Sequence, residues 1–599
     1  MMQTGLSLFL HSFDRNTADN SLDRCSNRGI AKCLWSCLAV ALIVIISWPS
    51  GQAMAQQSKL GDYLSARVAD NQGDYAKAAK FYKKVINHGK PTPALAARAL
   101  TIFIMAGKID WSKPIADELI KDLPNNQTVQ LAKISFLVAN GENDQAGEML
   151  KNPQNSGIAA FTTPLFQAWL LAANGKTDAA IKALKPLDLQ GTKGIYNRQQ
   201  GLINEMAGRF DKAAENFRAL GWPNGILSPR VSRDLIRVDV KAGNIKEAQA
   251  VLKAAIINQP DTRFYKDLEA VIEGRQKAKN GITSAKQGFA MSLFGIARVM
   301  EQQRATQLPR LLSQLAFYLN PDLAANRILL SGLHNVKIEP DASLQLLKDI
   351  PSTSPYIWQA NLELALLMDR TGYSDQAETL LLNLLSDNPK WIRPALLLGN
   401  IRRAREQDIK AIKAYDLAME RVGEPTKAYW RVLYSRGISL ERSGQWPKAE
   451  KDLLKALSLQ PNAPFVLNYL GYSWVDKGIN LNKAITMIEK AVRLRPRDGY
   501  IADSLGWGYY KLKRYDEAVT ELEKAIELQP ADPVINDHLG DAYWQVGRSI
   551  EARFQWNRSL LMKPDAKLEK KIRLKLENGL TDPVLPANAV NTPANPDNG

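Results

Sequence analysis

Four prolines set the frame of this chain. Pro496, Pro530 and Pro564 are spaced by 34 residues, and Pro461 stands 35 before the first of them. Twelve residues before each lies an alanine: Ala449, Ala484, Ala518 and Ala552. Five before each is another small residue, Ala456, Ala491, Ala525 or Ser559, and near 24 before is a glycine, Gly437, Gly471, Gly506 or Gly540. Small residues held in register over such a period mark places where successive helices touch, because helices approach closely only where side chains are short.

The unit at 499–530 shows how the pattern works. Leu505, Gly506 and Tyr509 fall on one face of a first helix, and Ala518, Leu522 and Ala525 on one face of a second. Gly506 and Ala518 are the expected contact, with bulky neighbours filling the grooves beside it. The closing proline cannot continue a helix, so it ends the second one. This period and pattern resemble the tetratricopeptide repeat family. The resemblance implies an all-α fold, with helix-turn-helix repeats stacked in a right-handed superhelical solenoid.

A weaker form of the template runs through most of the chain. A loop glycine followed five residues later by alanine recurs as Gly73/Ala78, Gly141/Ala146, Gly175/Ala180, Gly208/Ala213, Gly243/Ala248, Gly372/Ala377, Gly444/Ala449 and Gly547/Ala552. Glycine suits the left-handed end of a helix there. Between about 275 and 350 the register fades. The expected organisation is an export segment over 1–55, repeat-like helices over 56–274 and degenerate helical repeats over 275–355. Regular repeats follow over 356–563, then a capping helix over 564–580 and a disordered tail over 581–599. A hinge or an inserted helical segment is the alternative for the degenerate stretch.

The export segment rests on Arg28 and Lys32, the apolar run Leu34–Trp48, the breakers Pro49 and Gly51, and the small residues of Ala53-Met54-Ala55. Cleavage is expected after Ala55; a retained anchor is the alternative, although about 15 apolar residues fall short of the roughly 20 that span a bilayer. Cys25, Cys33 and Cys37 are the only cysteines, so the processed chain has none and gains nothing from disulfides or thiolate zinc sites. Cys37 precedes most of the apolar run and does not end it, which is not the arrangement of a lipoprotein cleavage box. The expected location is exported and periplasmic, with peripheral contact to the membrane or cell wall, since 78 Lys and Arg against 61 Asp and Glu favour anionic surroundings. Export disfavours nucleic acid as a partner.

Residues suited to catalysis do not converge in the sequence. His88, His334 and His538 lie in different units without ligand spacing, no phosphate loop or dinucleotide turn follows a strand-like run, and acids such as Asp516 and Glu517 sit where they favour a helix dipole. No enzyme activity, cofactor or metal is expected. Arg402, Arg403, Arg405, Lys410 and Lys413 make the most basic helix pair, a feature that solvated outer faces carry routinely.

An extended concave wall lined by the first helix of each repeat is the usual binding surface of such arrays. Opposite the packed faces of three successive first helices lie Asn468, Tyr469 and Tyr472; Asp503, Trp507, Tyr510 and Lys511; and Asp537, His538, Asp541 and Trp544. Aromatic rings offer contact area at small entropic cost and the charges set register, so these eleven are the expected partner-binding groove; packing between repeats is the alternative role for Trp507 and Trp544. Residues 465–562 also resemble the carboxyl-terminal part of exported proteobacterial repeat proteins, some of which are adaptors of carboxyl-terminal processing proteases. That resemblance implies a protein partner such as an envelope protease or cell-wall enzyme. Adaptors of that kind are typically lipoproteins, and this chain lacks their lipid-attachment box. The expected function is a non-enzymatic interaction scaffold of the cell envelope; the alternatives are an anionic-glycan-binding component of polysaccharide export or cell-wall assembly, and an enzyme whose site lies in 275–350.

Overall fold

A computed structural model of the chain describes residues 52–580 apart from the short stretches 152–155, 222–224, 259–263, 304–306 and 389–390. The export segment before Gln52 and the tail after Leu580 lie outside the described residues, as do Pro260 and Pro389. The described residues are helical throughout, with no strand among them, and the chain divides into two compact units, Met1–Trp391 and Ile392–Gly599.

In the first unit the helices are α1 (Gln52–Asn71), α2 (Tyr75–Asn87), α3 (Pro93–Met105), α4 (Ile109–Asp122), α5 (Gln127–Asn140), α6 (Asn143–Met149), α7 (Ala159–Ala173), α8 (Thr177–Ala183), α9 (Lys193–Met206) and α10 (Phe210–Arg218). They continue with α11 (Pro229–Ala242), α12 (Ile245–Asn258), α13 (Lys266–Ile272), α14 (Ala285–Gln302), α15 (Gln307–Leu319), α16 (Ala324–Leu333), α17 (Pro340–Lys348), α18 (Ile357–Arg370) and α19 (Ser374–Asp387). Helices pair as sequential hairpins, α1 with α2, α3 with α4, and so on to α11 with α12. The eight loop glycines singled out by spacing all adopt positive φ, between 72° and 88°, which an L side chain adopts only at a cost.

Within the stretch expected to hold degenerate repeats, one hairpin makes contacts far back in the sequence. The α14–α15 hairpin turns back onto the wall made by the first helices of earlier pairs: α14 packs on α5 and α7, and α15 on α3 and α5. Phe289 of α14 stacks on Phe166 of α7 at 3.9 Å, and Tyr318 of α15 meets Phe136 of α5 edge-on at 5.8 Å. A Cβ at Gly288 would lie 2.1 Å from the Trp169 ring, so the hairpin seats as closely as glycine permits. Arg310 of α15 is buried; it donates from Nε to the Met105 carbonyl at 2.9 Å and from Nη2 to Glu339 at 3.0 Å, with its guanidinium 4.6 Å from the Tyr75 ring. Residues 285–319 therefore fold back across earlier helices, while α16 to α19 stack on their sequence neighbours.

The second unit comprises α20 (Ile392–Ala404), α21 (Asp408–Val422), α22 (Trp430–Arg442), α23 (Trp446–Leu459), α24 (Pro464–Asp476), α25 (Leu481–Leu494), α26 (Gly499–Lys511), α27 (Tyr515–Leu528), α28 (Pro533–Gln545), α29 (Ser549–Leu561) and α30 (Ala566–Asn578). Its hairpins follow the spacing of the sequence. A Cβ at Gly506 would come 2.5 Å from Leu522 Cγ and 3.2 Å from the Ala518 carbonyl oxygen, and Gly471 meets Ile488 and Ala484 in the same way. The small residues are thus the places where α26 and α27, and α24 and α25, come together. The last helix, α30, closes the unit with Ile572 fully buried against α28 and α29 side chains.

Candidate functional site

The first helices of the second unit are begun by devices visible in the sequence. Asp498 accepts from the Ile501 amide at the start of α26, Asp532 accepts from the Val534 and Ile535 amides at the start of α28, and proline opens α24 and α28. These caps set the rotation of each helix and so fix which side chains meet the next first helix.

Along that line most of the eleven expected groove residues have neighbours of their own. Asn468 donates from Nδ2 to Ser504 Oγ at 3.1 Å, and Tyr469 donates its hydroxyl to Glu441 at 3.2 Å while lying edge-on to Tyr434. Burial, with Asp503 and Asp476 nearby, pushes the Tyr472 hydroxyl up to about 12. Asp503 meets His538 Nδ1 at 2.9 Å. The Trp507 ring is stacked between two partners, Tyr510 at 4.7 Å and His538 at 4.0 Å, with Lys511 Nζ 5.3 Å from its centre. Asp537 and Asp541 both accept from Lys575 of α30, and Asp541 also accepts from the buried Trp556 indole at 2.9 Å. Trp544 lies beside Trp556 at 5.4 Å.

This arrangement sorts the residues by exposure. Asp503, Tyr510, Asp537, His538 and Asp541 are buried and tie α28 to α26 and α30. Asn468, Tyr469, Tyr472, Trp507, Lys511 and Trp544 are half-buried. Two groups beneath the rings, His538 and Asp541, have shifted protonation. Burial alone would lower the His538 imidazole, but Asp503 by charge and hydrogen bond, with Asp537 and Asp541 behind it, outweighs burial and holds it above its ordinary value of 6.5. Burial and the neighbouring Asp537 push Asp541 up to about 6 against the pull of Lys575 and His538.

A pH dependence follows, with a definite sign. A histidine whose folded pKa is raised contributes stability fully present below the unfolded value near 6.5 and lost as pH rises through the folded value. An NMR titration of the four histidines is expected to show His538 with a midpoint above 6.5, and Asp503→Asn is expected to move that midpoint downward. A His538 midpoint at or below 6.5 in the unaltered chain would refute the pairing.

Sequence spacing missed three features of this surface. Phe465, Tyr500 and Val534 form a ladder of exposed apolar side chains, 44%, 55% and 41% exposed, each the second residue of its helix. Their own spacing of 35 and 34 residues was available in the sequence. Lys575 was read only as part of a polar cap, yet it is the counter-charge of Asp537 and Asp541. The third is the filling of the corresponding wall in the first unit by α14 and α15.

The other two candidate histidines lie apart from this surface in the sequence and from each other. His334 is buried with neither ring nitrogen bonded, and burial, aided by Arg310, pulls it down to about 3. His88 meets Asp62 at 3.1 Å. Among the described residues no group of three or more His, Cys, Asp or Glu side chains is placed to hold a metal. In the basic pair, Lys410 and Lys413 are exposed on α21, and Arg402 donates to the Lys410 carbonyl at 3.4 Å.

Two family models match within the second unit: one described as a tetratricopeptide repeat over residues 430–463, which spans α22 and α23, and one as a TPR repeat over 508–547. The chain carries tetratricopeptide repeats. A TPR repeat-containing protein of Pseudomonas aeruginosa is 29% identical over 143 residues, which is 24% of this chain and 24% of that protein; the match thus spans about a quarter of the relative's length. Among solved structures, Cut9–Hcn1, a hetero-tetramer of the APC/C, is 16% identical, with 87% of this chain and 96% of that one covered at a TM-score of 0.38. YrrB, described as a TPR protein with an unusual peptide-binding site, is 18% identical over 32% of this chain and 97% of its own, at 0.26. A tetratricopeptide repeat protein of Parabacteroides merdae is 15% identical over 48% of this chain and 98% of its own, at 0.33. TPR arrays serve as protein–protein interaction scaffolds.

Proposed function

We propose that this chain is a non-enzymatic scaffold of the bacterial envelope that holds a protein partner along the first helices of its second unit. The observation that carries the reading is the contrast between two equivalent walls. In the first unit that wall is covered by α14 and α15, with Phe289, Leu293, Leu312 and Leu315 fully buried against it. In the second it offers Tyr469, Tyr472, Trp507 and Trp544 half-open beside the ladder Phe465, Tyr500 and Val534. Half-open rings held by a rigid hydrogen-bonded base supply contact area without the entropic cost of ordering them. The apolar run and Ala53-Met54-Ala55 support an exported location, and an envelope protease or cell-wall enzyme is the partner class favoured there.

Crosslinked co-purification from a periplasmic extract tests this reading when the unaltered chain is compared with Tyr500→Ala and Trp507→Ala. Partners retained by the unaltered chain are expected to be captured about 5- to 150-fold less well by either variant, the effect of losing an anchor worth roughly 1–3 kcal/mol. Equal capture by all three chains would refute the site. Salt-sensitive retention of purified peptidoglycan or anionic glycan, with no protein retained, would replace the reading by the glycan-binding alternative.

A further inference from the structure

The helix that opens the first unit has an outer side of unusual composition. Leu60, Leu64 and Val68 of α1 recur at four-residue spacing and are 59%, 53% and 55% exposed, a stripe about 12 Å long. Among the described residues no helix packs ahead of α1, and the stripe is exposed. The charges around it are of one sign. Lys59 and Arg67 are exposed beside the stripe, while both acids of the described face are turned inward and paired, Asp62 with Lys84 and His88, and Asp70 with Arg98 and Tyr82. Between residues 56 and 90 the chain has seven Lys and Arg against three Asp and no Glu.

We infer that the exposed side of α1 docks on an anionic bilayer surface, with Leu60, Leu64 and Val68 entering the headgroup boundary and Lys59 and Arg67 meeting lipid phosphates. An apolar stripe whose exposed charged neighbours on the helix are cations suits a helix that lies in the membrane interface. Three side chains are far fewer than the roughly 20 residues a side of a stable protein interface, which argues against a second copy as the occupant. The position of α1 immediately after the apolar run Leu34–Trp48 places it where a chain leaving a membrane would first fold. The inference is independent of the partner-binding site in the second unit.

The test uses the full chain carrying Leu64→Cys, with Cys25, Cys33 and Cys37 replaced by serine, and a polarity-sensitive fluorophore on the new thiol. Vesicles containing phosphatidylglycerol are expected to shift its emission to the blue, vesicles of phosphatidylcholine alone are not, and added salt is expected to reverse the shift. Lys59→Glu and Arg67→Glu in the labelled chain are each expected to weaken the vesicle affinity at least fivefold, the equivalent of about 1 kcal/mol per basic residue near an anionic surface. A label placed by Ile550→Cys, at a side chain 82% exposed in the second unit, is expected to show no shift. The inference is overturned by an absent shift, by an equal shift on both kinds of vesicle, or by a shift at position 550 as well. It is also overturned if the shift survives both charge reversals, which would assign it to the upstream apolar run, or if it grows with protein concentration without lipid, which would assign it to a second copy.

Discussion

Arg310→Ala is expected to lower the stability of the first unit by about 3–5 kcal/mol, the usual result of removing one member of a buried ion pair. Arg310 is 2% exposed and stands at a junction of four elements: the Met105 carbonyl that ends α3, the Tyr75 ring at the start of α2, Glu339 before α17, and α15 itself. Its loss strands the Glu339 carboxylate and leaves the Met105 carbonyl without its donor. Hydrogen exchange read by mass spectrometry checks the expectation: protection in α3 and α15 is expected to fall by roughly two to three orders of magnitude, with α26 and α28 as the internal reference. The double variant Arg310→Met with Glu339→Gln is expected to recover much of the loss, because it leaves no unpaired charge. Protection unchanged by Arg310→Ala would mean that α15 is held by its leucines alone.

Phe289→Ala carries an expected cost of similar size, about 3–5 kcal/mol, from a different source. The ring is fully buried and nearly parallel to Phe166, and the adjoining Gly288 lies against Trp169, so truncation opens a cavity that the close helix contact cannot collapse. Thermal unfolding of the variant should show the first unit melting earlier, with the loss of protection centred on α7 and α14 instead of α3. Phe289→Leu, which keeps most of the volume, is expected to cost less than half as much. If alanine and leucine proved equivalent, retained apolar volume would count for nothing and the whole cost would belong to the shape and stacking of the ring.

The repeat architecture was legible because its determinants are local. Gly506 and Ala518, Gly471 and Ala484, and the loop glycines at 73, 141, 175, 208, 243, 372, 444 and 547 mark contacts and turns within one hairpin, and each falls where its spacing put it. The α14–α15 hairpin was not legible in the same way, because its partners lie more than a hundred residues earlier and carry no matching period. A signal did exist in those partners. Leu100, Ile102, Phe103, Ile104 and Met105 of α3 make a helix apolar on every side, as does much of α7, and such a helix must be covered on every side. At the candidate site the helical period placed the eleven residues along successive first helices, but spacing says nothing about depth. Asp537 and Asp541 read as recognition charges until Lys575 of the last helix is seen to neutralise them.

The bond from Arg310 to the Met105 carbonyl closes a loop of 205 residues. An ordinary array adds one hairpin at a time onto a finished neighbour, so its growth during synthesis leaves little unfinished. Here α3 is made long before its cover; at about 5–20 residues per second, the ribosome needs roughly 10–40 s to reach α15 after α3 is complete. During that interval the most apolar helices of the unit stand bare, and the nascent chain is at its most vulnerable to aggregation and most in need of a chaperone.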